Sequence, residues 1–156
     1  MEKTNAMRIL EQAGVDYVPH FYDDGVDKGE EVAALVGKSA DEVFKTLVTV
    51  GSDRKNYVFV IPVNRTLDLK KAARAAGVKS VEMLKQKDLF SLTGYVHGGC
   101  SPVGMKKKFP TVIDETAQLF DHICVSAGCV GCNIAVEPVA LARFIDAEFF
   151  DIVKEK

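Results

Sequence analysis

Apolar positions at helical spacing predict five helices along this chain. We expect them over residues 5–12, 30–36, 68–77, 84–92 and 139–145. Residues that start or stop helices bound most of these segments: Thr4 and Asp68 at two starts, and Gly14, Gly37, Gly77 and Gly94 at four ends. The pattern is typical of short helices in a globular protein.

Shorter runs that are rich in β-branched and aromatic residues predict six strands, over 15–22, 44–50, 57–63, 111–115, 122–126 and 133–138. The polar loop 51–56 joins the second and third into a hairpin. Pro19 places the first strand at a sheet edge, because proline cannot donate to a ladder. Strands outnumber helices and the order is mixed. We therefore predict an α/β (α+β) fold with a mixed, curved sheet.

Length and composition favour a single domain over residues 1–156. The chain has 156 residues, is 47% hydrophobic, and contains no repeat or linker, which excludes a disordered or fibrous protein. No window approaches 18 uninterrupted apolar residues, and the first 14 residues have no apolar run long enough for a signal peptide. We expect a cytoplasmic protein without a membrane partner.

The net charge of −2 conceals an uneven distribution. Residues 65–109 carry ten basic and three acidic side chains, a net +7, so the remainder carries −9. Such a split is typical of a basic patch on an acidic body, and local potential matters more than the total. The alternative is that these lysines and arginines only solvate two helices.

Four cysteines in a chain of this kind do not indicate a disulfide framework. Three interpretations are open. The thiols can be ordinary small buried residues, or Cys129 and Cys132 can form a redox-active pair. His97 and Cys100 can also join Cys129 and Cys132 as a zinc set.

Two glycine-rich loops, 98–104 (GGCSPVG) and 126–131 (SAGCVG), are candidates for ligand contact. Glycine permits a close approach of backbone N–H groups to anionic or carbonyl oxygens. Neither loop matches a Walker A or a dinucleotide-binding pattern. They indicate either a pocket or tight turns between strands.

Lys45 lies between apolar residues of a predicted strand and shares a face with Leu47 and Thr49. Its ammonium group can reach solvent or project into a cleft, where it can hold a phosphate or polarise a carbonyl. No defensible Ser/His/Asp arrangement exists. The residues by themselves therefore indicate a binding cleft with a cation and no named reaction.

Five motifs, in order along the chain, closely resemble the YbaK/EbsC family. They lie at 43–47 (VFKTL), 67–71 (LDLKK), 94–104 (GYVHGGCSPVG), 110–114 (PTVID) and 125–128 (VSAG). Their joint occurrence is specific, and the resemblance covers essentially the whole chain.

This resemblance implies a free-standing trans-editing protein related to the editing domain of bacterial prolyl-tRNA synthetases. It implies hydrolysis of the ester of mischarged tRNA(Pro), with Cys-tRNA(Pro) as the expected substrate and prolyl-tRNA synthetase as a possible partner. The implied fold is a barrel-like mixed sheet surrounded by helices. No metal, organic cofactor or DNA partner is expected.

The resemblance also assigns site residues. Lys45 matches the family's essential lysine, and the cysteine-specific branch lets the substrate's own thiol attack the ester. The matching substrate-binding positions are Tyr22, Thr46, Gly98, Gly99, Ser101, Gly104, Ser126 and Gly128.

Three departures from the family pattern accompany this match. Cys129 and Val130 replace a Lys-Arg pair, Asn133 occupies the position of an aspartate and is included as a substrate-binding residue, and Lys28 replaces an aromatic residue. Two alternative functions follow: a catalytically weak tRNA- or synthetase-binding module, and a redox- or metal-regulated variant that uses Cys129 and Cys132.

Overall fold

The computed structural model describes residues 2–23 and 29–155, so Lys28 lies outside the described residues. The α-helices are α1 (Asn5–Gln12), α2 (Gly29–Leu35), α3 (Leu69–Ala76), α4 (Gln86–Thr93) and α5 (Pro138–Ile145), and Glu115–Leu119 forms a 3₁₀ turn. The five predicted helices are confirmed to within two residues. Thr4 and Asp68 cap α1 and α3 through their side chains, as predicted. None of the described helices has the length and apolar character needed to cross a membrane.

The strands are β1 (Tyr17–Phe21), β2 (Phe44–Gly51), β3 (Asn56–Pro62), β4 (Val81–Met83), β5 (Thr111–Asp114), β6 (Ile123–Cys129), β7 (Cys132–Val136) and β8 (Glu148–Phe150). They form a three-stranded sheet in the order β1-β7-β6 and a five-stranded sheet in the order β4-β2-β3-β5-β8. The β3–β5 and β5–β8 pairs are parallel and the others antiparallel. The mixed sheet and the edge position of β1 are confirmed.

The described strands form two sheets rather than one closed barrel, which corrects that part of the expectation. The sheets meet where β2 begins, through a parallel bridge between Val43 and Cys124. The Cys124 N–H donates to the Glu42 carbonyl at 2.9 Å. Farther along β2, residues 49–51 pair with β4 instead. The strand therefore leaves β6 after one bridge, and the barrel stays open.

Sequence reasoning missed β4 and β8. Each is three residues long, too short for an alternating pattern to be recognised. Each also lies at an edge of the larger sheet, so its pairing depends on residues distant in sequence.

Two apolar clusters lie on opposite faces of β2. Phe44 and Val48 belong to the cluster that fills the space between the sheets, together with residues of α1, β6, β7 and α5. Leu47 packs against the second cluster, which includes Ala72 and Ala73 of α3. The predicted alternation is confirmed, and Lys45 lies on the strand face of Leu47.

Asp114 connects β5 to the end of the chain. It is fully buried, and its Oδ1 accepts a hydrogen bond from the Ile152 N–H at 3.1 Å. Its Oδ2 accepts from the N–H and hydroxyl of Thr116. One side chain therefore satisfies donors on two segments.

We expect Asp114→Ala to lower the free energy of unfolding by about 3 kcal/mol, because buried donors lose their acceptor. Urea denaturation at neutral pH measures the loss. Asp114→Asn keeps an oxygen acceptor and should lose clearly less. Equal losses for the two variants would contradict this role.

Candidate active site

A cavity of about 580 Å³ lies beside the first half of β2. Its walls come from both sheets, from the start of α2, and from the segments after β3 and α4. Six of the predicted catalytic and substrate-binding residues line it: Tyr22, Lys45, Thr46, Gly98, Ser126 and Asn133. The fold therefore brings together residues that are up to 111 positions apart in the chain.

Lys45 places a cation in the wall of this cavity. It is partly buried, and its Nζ donates one long hydrogen bond of 3.5 Å to the Val63 carbonyl. Burial lowers the pKa of Lys45 from its ordinary value, and the negative charge of Glu30 opposes that shift. An incompletely solvated ammonium beside a cavity is suited to bind a phosphate or a developing oxyanion.

Thr46 contributes a hydroxyl that the described residues do not satisfy. Its Oγ1 is buried and has no hydrogen-bond partner among them. Buried polar atoms nearly always have a partner, and those that lack one often belong to binding sites. Because Thr46 lines the cavity, a bound ligand can supply the missing hydrogen bond.

Three polar side chains form a row across the smaller sheet. His20, Asn133 and Ser126 are paired in register on β1, β7 and β6. His20 Nδ1 lies 3.1 Å from Asn133 Oδ1, and Asn133 is buried. Residues in register on neighbouring strands share a face, so His20 contacts the cavity wall through the side chain of Asn133.

The two glycine loops pack directly against each other. A Cβ atom on Gly99 would lie 2.9 Å from the Val130 nitrogen and 3.0 Å from the Cys129 carbonyl carbon. Main-chain atoms cannot move away cheaply, so only glycine fits at this position. On the same side of the cavity, the Tyr22 N–H donates to the Gly131 carbonyl at 2.9 Å.

Tyr95 holds the loops together. Its hydroxyl donates to the Val103 carbonyl, and its ring lies against Gly128. Its hydroxyl also faces Gly104, where an added Cβ would approach it to 3.0 Å. Burial raises the pKa of Tyr95 to about 12, so the phenol stays a donor at neutral pH.

Four of the predicted substrate-binding residues do not line the cavity. Ser101 is fully buried, and its hydroxyl accepts a hydrogen bond from the Val103 N–H at 3.1 Å. Gly99, Gly104 and Gly128 pack against neighbouring loop or ring atoms, as described above. These four residues shape the loops behind the wall.

Sequence reasoning did not assign a substrate-binding role to several residues that the fold brings to the cavity. Glu30, Arg65 and His97 line it, and His20 supports it through Asn133. His97 lies inside the 94–104 motif but was considered only as a zinc ligand, and the other three stand in no motif that indicates chemistry. The register of β1 on β7, which sets the His20–Asn133 contact, is a property of the folded sheet.

The cysteines are all free. Cys129 is exposed and is the Cα partner of buried Cys132 across a tight turn. Burial raises the pKa of Cys132 and of Cys100 to about 12, and that of Cys124 to about 11.

The described residues contain no group of three or more His, Cys, Asp or Glu side chains that could hold a metal, which removes the support for the proposed zinc set. The redox interpretation of Cys129 and Cys132 stays a hypothesis.

Comparison with known proteins identifies the family. The model of the aminoacyl-tRNA editing domain matches residues 23–144, more than half of the chain. The chain therefore belongs to the aminoacyl-tRNA editing domain family, which confirms the resemblance drawn from the five motifs.

Relatives of known name agree with this family. The chain is 46% identical, over 99% of its length and 96% of the relative's, to a protein of Enterococcus faecalis (strain ATCC 700802 / V583) named "Putative Cys-tRNA(Pro)/Cys-tRNA(Cys) deacylase EbsC". It is 29% identical to the proline--tRNA ligase of Shouchella clausii over 65% of this chain and 18% of that enzyme.

Solved structures share the fold. The crystal structure of "a putative trans-editing enzyme for prolyl tRNA synthetase" superposes with a TM-score of 0.85 at 24% identity, over 99% of this chain and all of that one. The crystal structure of hypothetical protein APE2540 gives a TM-score of 0.87 at 23% identity, over 94% and 97% of the two chains.

Thiol accessibility gives a direct test of the environments of the four cysteines. We expect iodoacetamide at pH 8 to label one thiol rapidly in the native protein, because Cys129 is exposed while the other three are buried with raised pKa values. Mass spectrometry should find four labelled thiols after unfolding. Cys129→Ser should abolish the rapid phase, and rapid labelling of a second cysteine would contradict this arrangement.

Proposed function

We propose that this chain, acting as one editing domain over residues 1–156, is a trans-editing deacylase of mischarged tRNA(Pro) with Cys-tRNA(Pro) as its substrate. The observation that carries the proposal is Lys45, which lines the cavity of a chain that belongs to an editing family. The name of the Enterococcus faecalis relative adds support for the substrate. The cavity volume of about 580 Å³ is in the range of sites for small organic groups.

The chemistry needs no nucleophile from the protein. Among the described lining residues, Cys100 is a poor candidate because burial raises its pKa to about 12. Ser126 is another, because its Oγ accepts a hydrogen bond from the Gly128 N–H and no described base contacts it. The thiol of the esterified cysteine can attack its own carbonyl carbon instead. A C–S bond then forms, the C–O bond to ribose breaks, and the thiol proton passes to the ribose oxygen.

The protein's role is to position the ester and stabilise charge. Lys45 serves as the catalytic residue by placing its ammonium beside the negative charge that develops on the carbonyl oxygen, or beside the permanent charge of the adjacent phosphate, which it would hold in position. Tyr22, Thr46, Gly98, Ser126 and Asn133 bind the aminoacyl end from the cavity wall. Gly99, Ser101, Gly104 and Gly128 maintain the shape of the two loops.

The tRNA partner is supported by the basic segment 65–109. Within it Phe90 is 59% exposed, and the Lys106 ammonium lies 5.3 Å from the centre of its ring. Exposed aromatic rings beside lysines suit single-stranded nucleic acid, which the 3′ end of tRNA provides. Leu89, the residue before Phe90, lines the cavity, so this surface adjoins the site.

We propose that the protein acts in the cytoplasm and that prolyl-tRNA synthetase is a partner.

Deacylation assays test the function. We expect the protein to deacylate Cys-tRNA(Pro) well above the spontaneous rate. Lys45→Ala should lower kcat/KM by roughly 100-fold or more, because the developing charge loses its stabilising cation. Lys55→Ala, at an exposed position of the β2–β3 loop, is the matched control and should leave the rate unchanged.

One outcome would contradict the role of Lys45, and another would contradict the deacylase function itself. An unchanged rate in Lys45→Ala would remove the proposed catalytic residue. Tight binding of tRNA without turnover would instead favour the binding module, for which Asn133 at an aspartate position is the motivating observation. Recovery of activity in Asn133→Asp would then strengthen that alternative.

Salt dependence tests the basic segment as the RNA surface. If about three phosphates of the single-stranded 3′ end are contacted, the Kd for tRNA(Pro) should rise roughly 20-fold between 50 and 200 mM salt, because each contact releases counterions. Filter binding or fluorescence anisotropy measures this change. Lys87→Glu, on the exposed surface of α4, should reduce the slope. An affinity that does not depend on salt would contradict an electrostatic RNA surface.

A further inference from the structure

The charges that line the cavity are unevenly divided. Among the described lining residues, Lys45 and Arg65 are cationic and Glu30 is the carboxylate. An aminoacyl ester carries a free α-ammonium group, and this positive charge needs a partner when the ester binds. An ammonium that leaves water requires an acceptor, and a carboxylate is the strongest one available.

Asn133 is poorly suited to that task. It is neutral, and its Oδ1 is already within hydrogen-bonding distance of His20 Nδ1, at 3.1 Å. Thr46 offers a hydroxyl without charge. Of the described groups in the wall, Glu30 is therefore the one whose charge complements an ammonium.

A tight contact at the start of α2 brings Glu30 to the cavity. A Cβ atom on Gly29 would lie 2.5 Å from both Cβ and Cγ1 of Val63, so this end of the helix lies directly against the end of β3. The carbonyl of the same valine accepts the hydrogen bond from Lys45 Nζ. Val63 therefore contacts both Lys45 and the residue that precedes Glu30.

The electrostatics agree with this placement. Both residues line the cavity, and the negative charge of Glu30 acts to raise the pKa of Lys45. Glu30 and Glu31 are both exposed to solvent, and of the two only Glu30 lines the cavity. Successive helical residues point about 100° apart, so one of the two neighbouring carboxylates reaches the site.

We propose that Glu30 binds the α-ammonium group of the aminoacyl ester and so orients its carbonyl toward Lys45. This inference rests on the deacylase function proposed above. It adds a specificity: the site prefers esters with a free α-amino group and discriminates against tRNA whose amino group is acylated, as in peptidyl-tRNA.

A substrate that lacks the amino group tests the contact. One tRNA(Pro) is charged with cysteine and another with 2-hydroxy-3-mercaptopropanoic acid, in which a hydroxyl replaces the amino group and the thiol is kept. Each rate is divided by the spontaneous rate of the same ester. We expect the wild type to favour the cysteine ester by roughly 10- to 100-fold, which is the range for hydrogen bonds to charged groups.

Glu30→Gln should remove most of this preference by slowing the cysteine ester and should leave the hydroxy ester unchanged. Glu31→Gln is the matched control and should change neither rate. The inference is overturned if Glu30→Gln slows both esters equally, or if the preference persists in that variant. If the wild type accelerates neither ester, the deacylase function itself fails, which is a distinguishable result.

Discussion

The shape of the cavity depends on the contact between the main chains of the two glycine loops. Gly99 lies against Cys129 and Val130 so closely that no side chain fits between them. Tyr95 completes the contact by packing its ring on Gly128 and donating its hydroxyl to Val103. Because the loops are fixed to each other, Gly98 and Ser126 form parts of one wall although they come from different segments.

The ammonium group of Lys45 lies in this wall and is partly removed from water. Burial lowers the pKa of Lys45, and its hydrogen bond to the Val63 carbonyl is long. An ammonium in that state gains more from a phosphate or an oxyanion than a fully hydrated one does. Glu30 counteracts the shift, so the cavity presents both a positive and a negative charge to a bound group.

The departures from the family pattern have structural consequences. Asn133 keeps the shape of an aspartate and pairs with His20, which satisfies a buried amide without adding charge. Cys129 and Cys132 flank the turn that supports Gly99 and present one exposed and one buried thiol. Where the resemblance leads us to expect a basic pair, this chain has Cys129 and Val130, so this turn supplies no cation.

The sequence by itself determined the helices, the six longer strands, the family and the residues of the motifs. Local periodicity, caps such as Thr4, and the VFKTL and GGCSPVG motifs are readable without contacts between distant residues. The tertiary structure decided which of those residues reach the cavity. Ser101 is buried against Val103, while Glu30 lines the cavity and His20 contacts Asn133 although neither belongs to a motif. Such placement depends on strand register and on the close approach of Gly29 and Gly99 to their neighbours, which are set by packing between distant segments.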